Sequence, residues 1–171
     1  MFKRNNIKIH TYTENSATES VIKNICDQKI DILHIATHGF YNSNNNESGL
    51  LFTGANRGND NVMESEEDGI LTCDEIEKLH FHNLKLVVLS ACDTGLGRTN
   101  IDGAWGLQRA FRIAGAKNMI VSLKKVDDDF TQAFMIDFYR NLTNGLSIYK
   151  SFWNAMDNAD EETRNSFILI E

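Results

Sequence analysis

LKLVVLSACDTGLG, residues Leu84 to Gly97, is the stretch on which the reading of the whole chain turns. Both parities of the run are apolar: Leu84, Leu86 and Val88 on one, Val87, Leu89 and Ala91 on the other. A strand of that kind is covered on both faces, as in a parallel sheet flanked by helices. The run stops at Cys92 and passes into small, turn-forming residues. In open α/β sheets the crevice beyond the carboxyl ends of the strands is where ligands bind. Cys92 falls at that end, which makes it a candidate nucleophile.

Working outward, Asp31 to Thr37 (DILHIAT) repeats the pattern: apolar on both parities, then a reactive residue type and a glycine at His38-Gly39. Asn118 to Leu123 reads as a third internal strand, Ser166 to Ile170 as a last one, and Ile7 to Tyr12 as a short edge strand. Between them lie helix signals. Ser16-Ala-Thr-Glu19 has the form of a capping box opening a helix to about Gln28, with Val21, Ile22 and Ile25 inward. Thr72-Cys-Asp-Glu75 is a second box, for a short helix to about Leu79. Asp102 reads as the N-cap of a helix to Ala114 with Leu107, Phe111 and Ala114 in its apolar stripe, and Gly115 as its stop. Asp127 to Asp129 place negative charge at the start of a helix to about Leu142, which suits its dipole. Its apolar positions include Phe134, Ile136, Phe138 and Tyr139, and Ser147 caps a further helix to about Ala159. Strands alternating with helices predict an α/β fold with a mainly parallel central sheet.

Tyr41 to Gly69 differs in kind. It is rich in Asn, Gly, Glu and Asp, with only Gly49 to Gly54 resembling a hairpin strand. A polar loop of this length, residues 41–69, is uncommon inside a compact domain and is either functional or disordered. It departs from beside His38, so two readings stand: a cover over the site, or an acidic insertion.

At 171 residues the chain reads as a single domain, 1–171, long enough for a real core. A net charge of −7 and the lack of a Lys/Arg block argue against nucleic acid as a direct partner. No apolar run approaches a membrane span and nothing resembles a signal peptide, so the expectation is a cytoplasmic protein without membrane contact. Three widely spaced cysteines, Cys26, Cys73 and Cys92, form neither a disulfide framework nor a zinc pattern, so reduced thiols and no metal or other cofactor are expected.

Cys92 needs a base, because a free thiol near pKa 8.5 is only slightly ionised at neutral pH. His38 is the natural partner, since neighbouring parallel strands bring their ends together. The two lie 54 residues apart, histidine first. That order, and a spacing of about 50, also mark the caspase pair. The bland reading of Cys92 as a small buried hydrophobe stays open at this point. Cys73 and Cys26 read as structural, His80-Phe-His82 as a solvated loop, and His34 as a hydrogen-bonded strand histidine.

Several motifs together resemble a known family. His34-Ile-Ala-Thr-His38-Gly, Leu89-Ser-Ala-Cys92-Asp-Thr-Gly, Asp102-Gly-Ala-Trp-Gly-Leu, Ser122-Leu, Lys125-Val-Asp-Asp and Phe138-Tyr with Leu142 and Gly145 are similar to CHAT domains. These are peptidase domains of the caspase, gingipain and separase clan, often found behind tetratricopeptide repeats. The resemblance implies a three-layer caspase-like fold and a cysteine endopeptidase acting on a protein or peptide substrate. His38 is then the general base or acid and Cys92 the nucleophile that forms an acyl-enzyme. The backbone amides of Gly39 and Cys92 hold the oxyanion.

The same resemblance puts Ser90, two residues before the nucleophile, in the primary pocket, where caspases carry Gln and metacaspases Asp. Asp128 falls in the stretch where separases place an aspartate that receives a basic side chain. The competing reading is that Asp127 to Asp129 simply cap a helix. Lys124 stands where the family commonly has Trp. The family also has a strand-helix unit ahead of the point where this chain begins, so the sheet edge beside Asp31 to Thr37 is expected to lack a neighbour. An inactive truncated module that pairs through that edge, or serves as a regulatory piece, is the rival expectation, and another thiol hydrolase or transferase a third. Tetratricopeptide repeats, upstream or in a partner chain, are the expected associates.

Overall fold

The computed structural model describes residues 7–42, 47–55, 67–90, 101–123 and 127–171. In chain order its elements are α1 (Glu19–Ile25), β1 (Ile32–Ile35), β2 (His38–Asn42), β3 (Glu47–Leu51), β4 (Ile70–Thr72), α2 (Cys73–Lys78), β5 (Leu86–Leu89), α3 (Ile101–Ile113), β6 (Met119–Ser122), α4 (Asp128–Thr143), α5 (Ile148–Asn158), α6 (Glu161–Arg164) and β7 (Phe167–Ile170). Four strands form the central sheet in the order β1-β5-β6-β7. The β1–β5 and β5–β6 pairs are parallel and β7 closes the sheet antiparallel to β6.

The two-faced apolar run does what its pattern dictates. All four residues of β5 and all four of β6 are buried. Alternate side chains feed two separate cores. Val87, Leu89, Met119 and Val121 pack with Ile22, Ile76, Leu107 and Phe111 on the face of α1, α2 and α3. Leu86, Val88 and Ile120 pack with Phe134, Phe138 and Phe152 on the face of α4 and α5. The architecture is therefore α/β with a mainly parallel sheet covered on both faces. Fully burying one such aliphatic side chain stabilises by about 1.5–3 kcal/mol.

Local signals place most of the ends. Thr72 caps α2 through both arms of its box: the Glu75 amide donates to the Thr72 hydroxyl and the Thr72 amide to the Glu75 carboxylate. Gly115, at φ +110°, ends α3, with its amide donating to Arg112 and that of Ala116 to Phe111. This is the Schellman arrangement, which needs the left-handed conformation that glycine adopts without strain. Asp127 caps α4 by accepting from the Asp129 amide, and Ser147 caps α5 by accepting from that of Lys150.

Other expectations need correction. Ile7 to Tyr12 is not a strand; Ile7 and Ile9 are exposed, and no described strand pairs with them. Ser16 does not cap α1. Its hydroxyl closes a 3₁₀ turn with Thr13, and Thr18 stands before the helix, which stops at Ile25. Asp102 lies inside α3 rather than ahead of it. In α4 Phe134, Met135, Phe138 and Leu142 are buried, while Ile136 is 50% exposed. The stretch expected as one strand up to His38 is divided: β1 ends at Ile35, and His38 opens β2 in a second, antiparallel sheet ordered β2-β3-β4. Residues 41–69 are thus partly built, with β3 spanning Glu47–Leu51. Most of that loop, Lys124, and Ala91 to Asn100 lie outside the described residues.

Candidate functional site

Strand parity explains which side chains meet at the carboxyl end of the sheet. His34 and Ala36 continue the face of Ile32, and Ser90 continues the face of Leu86 and Val88; all look toward α4. There they form one wall of an open groove of about 660 Å³. The opposite wall is a single stripe of α4: Asp128, Thr131, Gln132, Met135, Ile136, Tyr139, Arg140 and Thr143. Spacings of three and four residues put these on one helix face.

A short hydrogen-bond chain crosses the groove floor. The Tyr139 hydroxyl lies 2.9 Å from His34 Nδ1, and His34 Nε2 lies 3.2 Å from Ser90 Oγ. The two rings also stack, with centroids 5.7 Å apart. The Ser90 amide donates to the Ile35 carbonyl at 3.1 Å, which fixes the end of β5 against β1. His34 is exposed to the groove, yet partial burial of its ring against the walls pushes its pKa down from its ordinary 6.5. Burial raises that of the Tyr139 phenol well above its ordinary 10. At neutral pH both groups are uncharged, and Tyr139 keeps its proton.

The residues singled out from the sequence fall as follows. His38 is exposed at the first position of β2, opposite Leu51, and is not part of the groove wall. The Thr37 hydroxyl before it donates to the Leu51 carbonyl and ties this corner to β3. Gly39 is buried opposite Leu50. Ser90 and Asp128 do line one groove. The cap is Asp127, whereas Asp128 faces the groove, so capping and groove contact belong to different residues. Cys92 lies outside the described residues.

The β1–β5 register has a fixed offset. Ile32 faces Leu86 and Ile35 faces Leu89, an offset of 54 residues. In sequence, His38 is as far past Ile35 as Cys92 is past Leu89.

The remaining candidates are structural. The Cys73 thiol lies 3.0 Å from the Ser48 hydroxyl, and burial raises its pKa. The Cys26 thiol donates to the Lys23 carbonyl at 2.9 Å. Among the described residues no group of three or more His, Cys, Asp or Glu side chains could hold a metal ion. No helix among them is long and apolar enough to cross a membrane. Tyr139 is the groove residue that sequence reasoning passed over, having counted it as apolar core. The stripe Asp128, Thr131, Gln132, Tyr139 and Thr143 was its signal: hydroxyls, an amide and a carboxylate recurring on one face of the helix.

A mainly parallel sheet covered by helices on both faces, with a groove at its strand ends, is an α/β architecture. The CHAT domain family matches residues 1–166, and the chain belongs to that family. Curated relatives include tetratricopeptide repeat protein 28 of Mus musculus, 40% identical over 74 residues, and that of Homo sapiens, 37% identical over 73. In each case the match covers 43% of this chain and 3% of the relative's own length.

Proposed function

We propose that this chain is a caspase-like cysteine endopeptidase module in which His38 and Cys92 form the catalytic dyad. The supporting observation is the 54-residue register of β1 against β5, which equals the separation of His38 from Cys92. In sequence both residues follow the carboxyl ends of neighbouring parallel strands, where α/β folds gather their chemistry.

In the proposed reaction His38 accepts the thiol proton of Cys92 and the thiolate attacks the scissile carbonyl carbon. The amides of Gly39 and Cys92 donate to the oxyanion that develops, often the largest single catalytic contribution. The intermediate collapses as His38 returns its proton to the leaving amine, giving a thioester. Water, deprotonated by His38, then releases the carboxylic acid and restores the thiol. Ser90 and Asp128 contact the side chain preceding the scissile bond, in the groove. The substrate is a protein or peptide in a reducing, cytoplasmic setting. Tetratricopeptide repeats in the same or a partner polypeptide present it, a reading that the name of the matched relatives supports.

The test is turnover of a fluorogenic peptide library, together with labelling by a thiol-reactive peptide probe. Cys92→Ala is expected to reduce both to background, and His38→Ala to lower turnover by about 10²–10⁴-fold. Undiminished turnover in Cys92→Ala sinks the proposal.

A further inference from the structure

We infer that Tyr139, His34 and Ser90 form a directed hydrogen-bond relay that presents the Ser90 hydroxyl proton to the groove, selecting a carboxamide side chain, glutamine or asparagine, before the scissile bond. The substrate class rests on the peptidase reading above; the direction of the relay does not.

The direction follows from what each group does best. A phenol is a good donor and a poor acceptor, whereas an imidazole nitrogen is a good acceptor. Tyr139, 2.9 Å from Nδ1, therefore donates to it. A neutral imidazole carries one proton, so Nε2 holds it and donates to Ser90 Oγ at 3.2 Å. With that lone pair filled, the Ser90 hydroxyl has its own proton free to donate onward. The neutrality this requires is helped by the desolvation of His34, which disfavours the imidazolium.

The chain has the connectivity of a nucleophile, base and orienting group, but its polarity is wrong for one. Nε2 already carries the proton, and a neutral phenol offers no charge to stabilise an imidazolium. His34 and Tyr139 are thus positioning residues for Ser90.

The relay sets what the groove can bind. Ser90 supplies a donor and Asp128, also on the groove wall, an acceptor. A carboxamide meets both, its carbonyl accepting from Ser90 and its NH₂ donating to Asp128. Lysine and arginine have donors alone and leave the Ser90 proton without an acceptor. In Tyr139→Phe the ring stays and the donor goes. Nδ1 can then take the imidazole proton and offer it to solvent, leaving Nε2 to accept from Ser90, so that the serine turns its lone pairs to the groove. The variant is expected to lose the preference for glutamine over arginine.

Two measurements on the whole protein decide this. The first is nitrogen-15 NMR of the His34 ring, assigned by its disappearance in His34→Gln. The neutral Nε2–H tautomer is expected, and the Nδ1–H tautomer in the wild type overturns the relay. The second is kcat/KM on peptides differing only in Gln, Asn, Arg or Lys at the cleaved position. The Gln-to-Arg ratio is expected to be about tenfold in the wild type and to fall about tenfold in Tyr139→Phe, with Ser90→Ala flattening it likewise. An unchanged ratio in Tyr139→Phe overturns the assignment of selectivity to the relay. Lack of Cys92-dependent turnover on every peptide overturns the peptidase reading and the substrate class with it, while the tautomer is still decided by the first measurement.

Discussion

Lys23 shows how one side chain can hold several elements through charge. Its ammonium bonds the carboxylate of Glu75 at 2.8 Å and pairs with that of Glu19, which is only 1% exposed. Glu19 also accepts the Gly69 amide at 3.1 Å, so α1, α2 and the turn before β4 meet at this cluster. Removing Lys23 leaves a buried carboxylate without its counter-charge. Breaking a fully buried pair costs about 3–5 kcal/mol. With the Lys23 side chain 28% exposed, a smaller loss of about 2 kcal/mol is expected for Lys23→Met. Burial works against the Lys23 charge, yet its bonds to Glu19 and Glu75 outweigh this and raise its pKa above the ordinary 10.5. A raised folded-state value means that its contribution is complete below pH 10.5 and lost as pH climbs through the folded value. At pH values where Glu19 and Glu75 are ionised, urea unfolding should therefore show a constant gap between wild type and Lys23→Met up to that point and a shrinking one above it. A gap that widened with alkali would contradict the assigned sign.

At the scale of the elements, the ends that the sequence made legible are those where one residue type has one physical reason to be there. Gly115 is such a case: φ +110° excludes most side chains, and a Cβ built there would meet the Phe81 carbonyl oxygen at 2.5 Å. Gly115→Ala should cost about 2–3 kcal/mol, from backbone strain together with that clash, and a smaller loss in denaturant unfolding would mean that α3 can end another way. Thr72 and Ser147 were legible for the same reason, each offering a hydroxyl to an orphaned amide. Ser16 and Glu19 fit the capping pattern equally well in sequence but not in structure. Ser16 closes a turn of its own, and Glu19 is drawn inward to Lys23, a partner that spacing alone does not weigh against the box. Of the antiparallel sheet only Gly49 to Gly54, overlapping β3, was signalled; β2 and β4 are too short, at five and three residues, for alternation to announce them. Of the residues that line the groove, Ser90 and Asp128 had been singled out through family resemblance. His34 and Tyr139 were not, because a bond between residues 105 apart has no local signature.

For the molecule as a whole, the decisive property is that the sheet separates two cores rather than bounding one. β5 lies between β1 and β6 and sends Val87 and Leu89 to one core, Leu86 and Val88 to the other. Were a single face covered, substitutions along the strand would alternate between costly and cheap. Here Val88 is 0% exposed and Leu89 1%, so both parities should be costly. Leu89→Ala is expected to lose about 2–5 kcal/mol, and Val88→Ala, with fewer methyl groups removed, about 2 kcal/mol. The edge strand β7 provides the internal comparison, since Ile168 and Ile170 are only partly buried and their truncation should cost less than that of Leu89. Chemical denaturation of the four variants measures this directly. A cheap Val88→Ala beside a costly Leu89→Ala would show that the α4 and α5 layer is loosely held. The same layer forms the far wall of the groove, so its packing has a functional consequence as well. Tyr139 reaches His34 only while α4 is pressed to the sheet through Phe134 and Phe138, and a variant that loosens this core should also disturb selection in the groove.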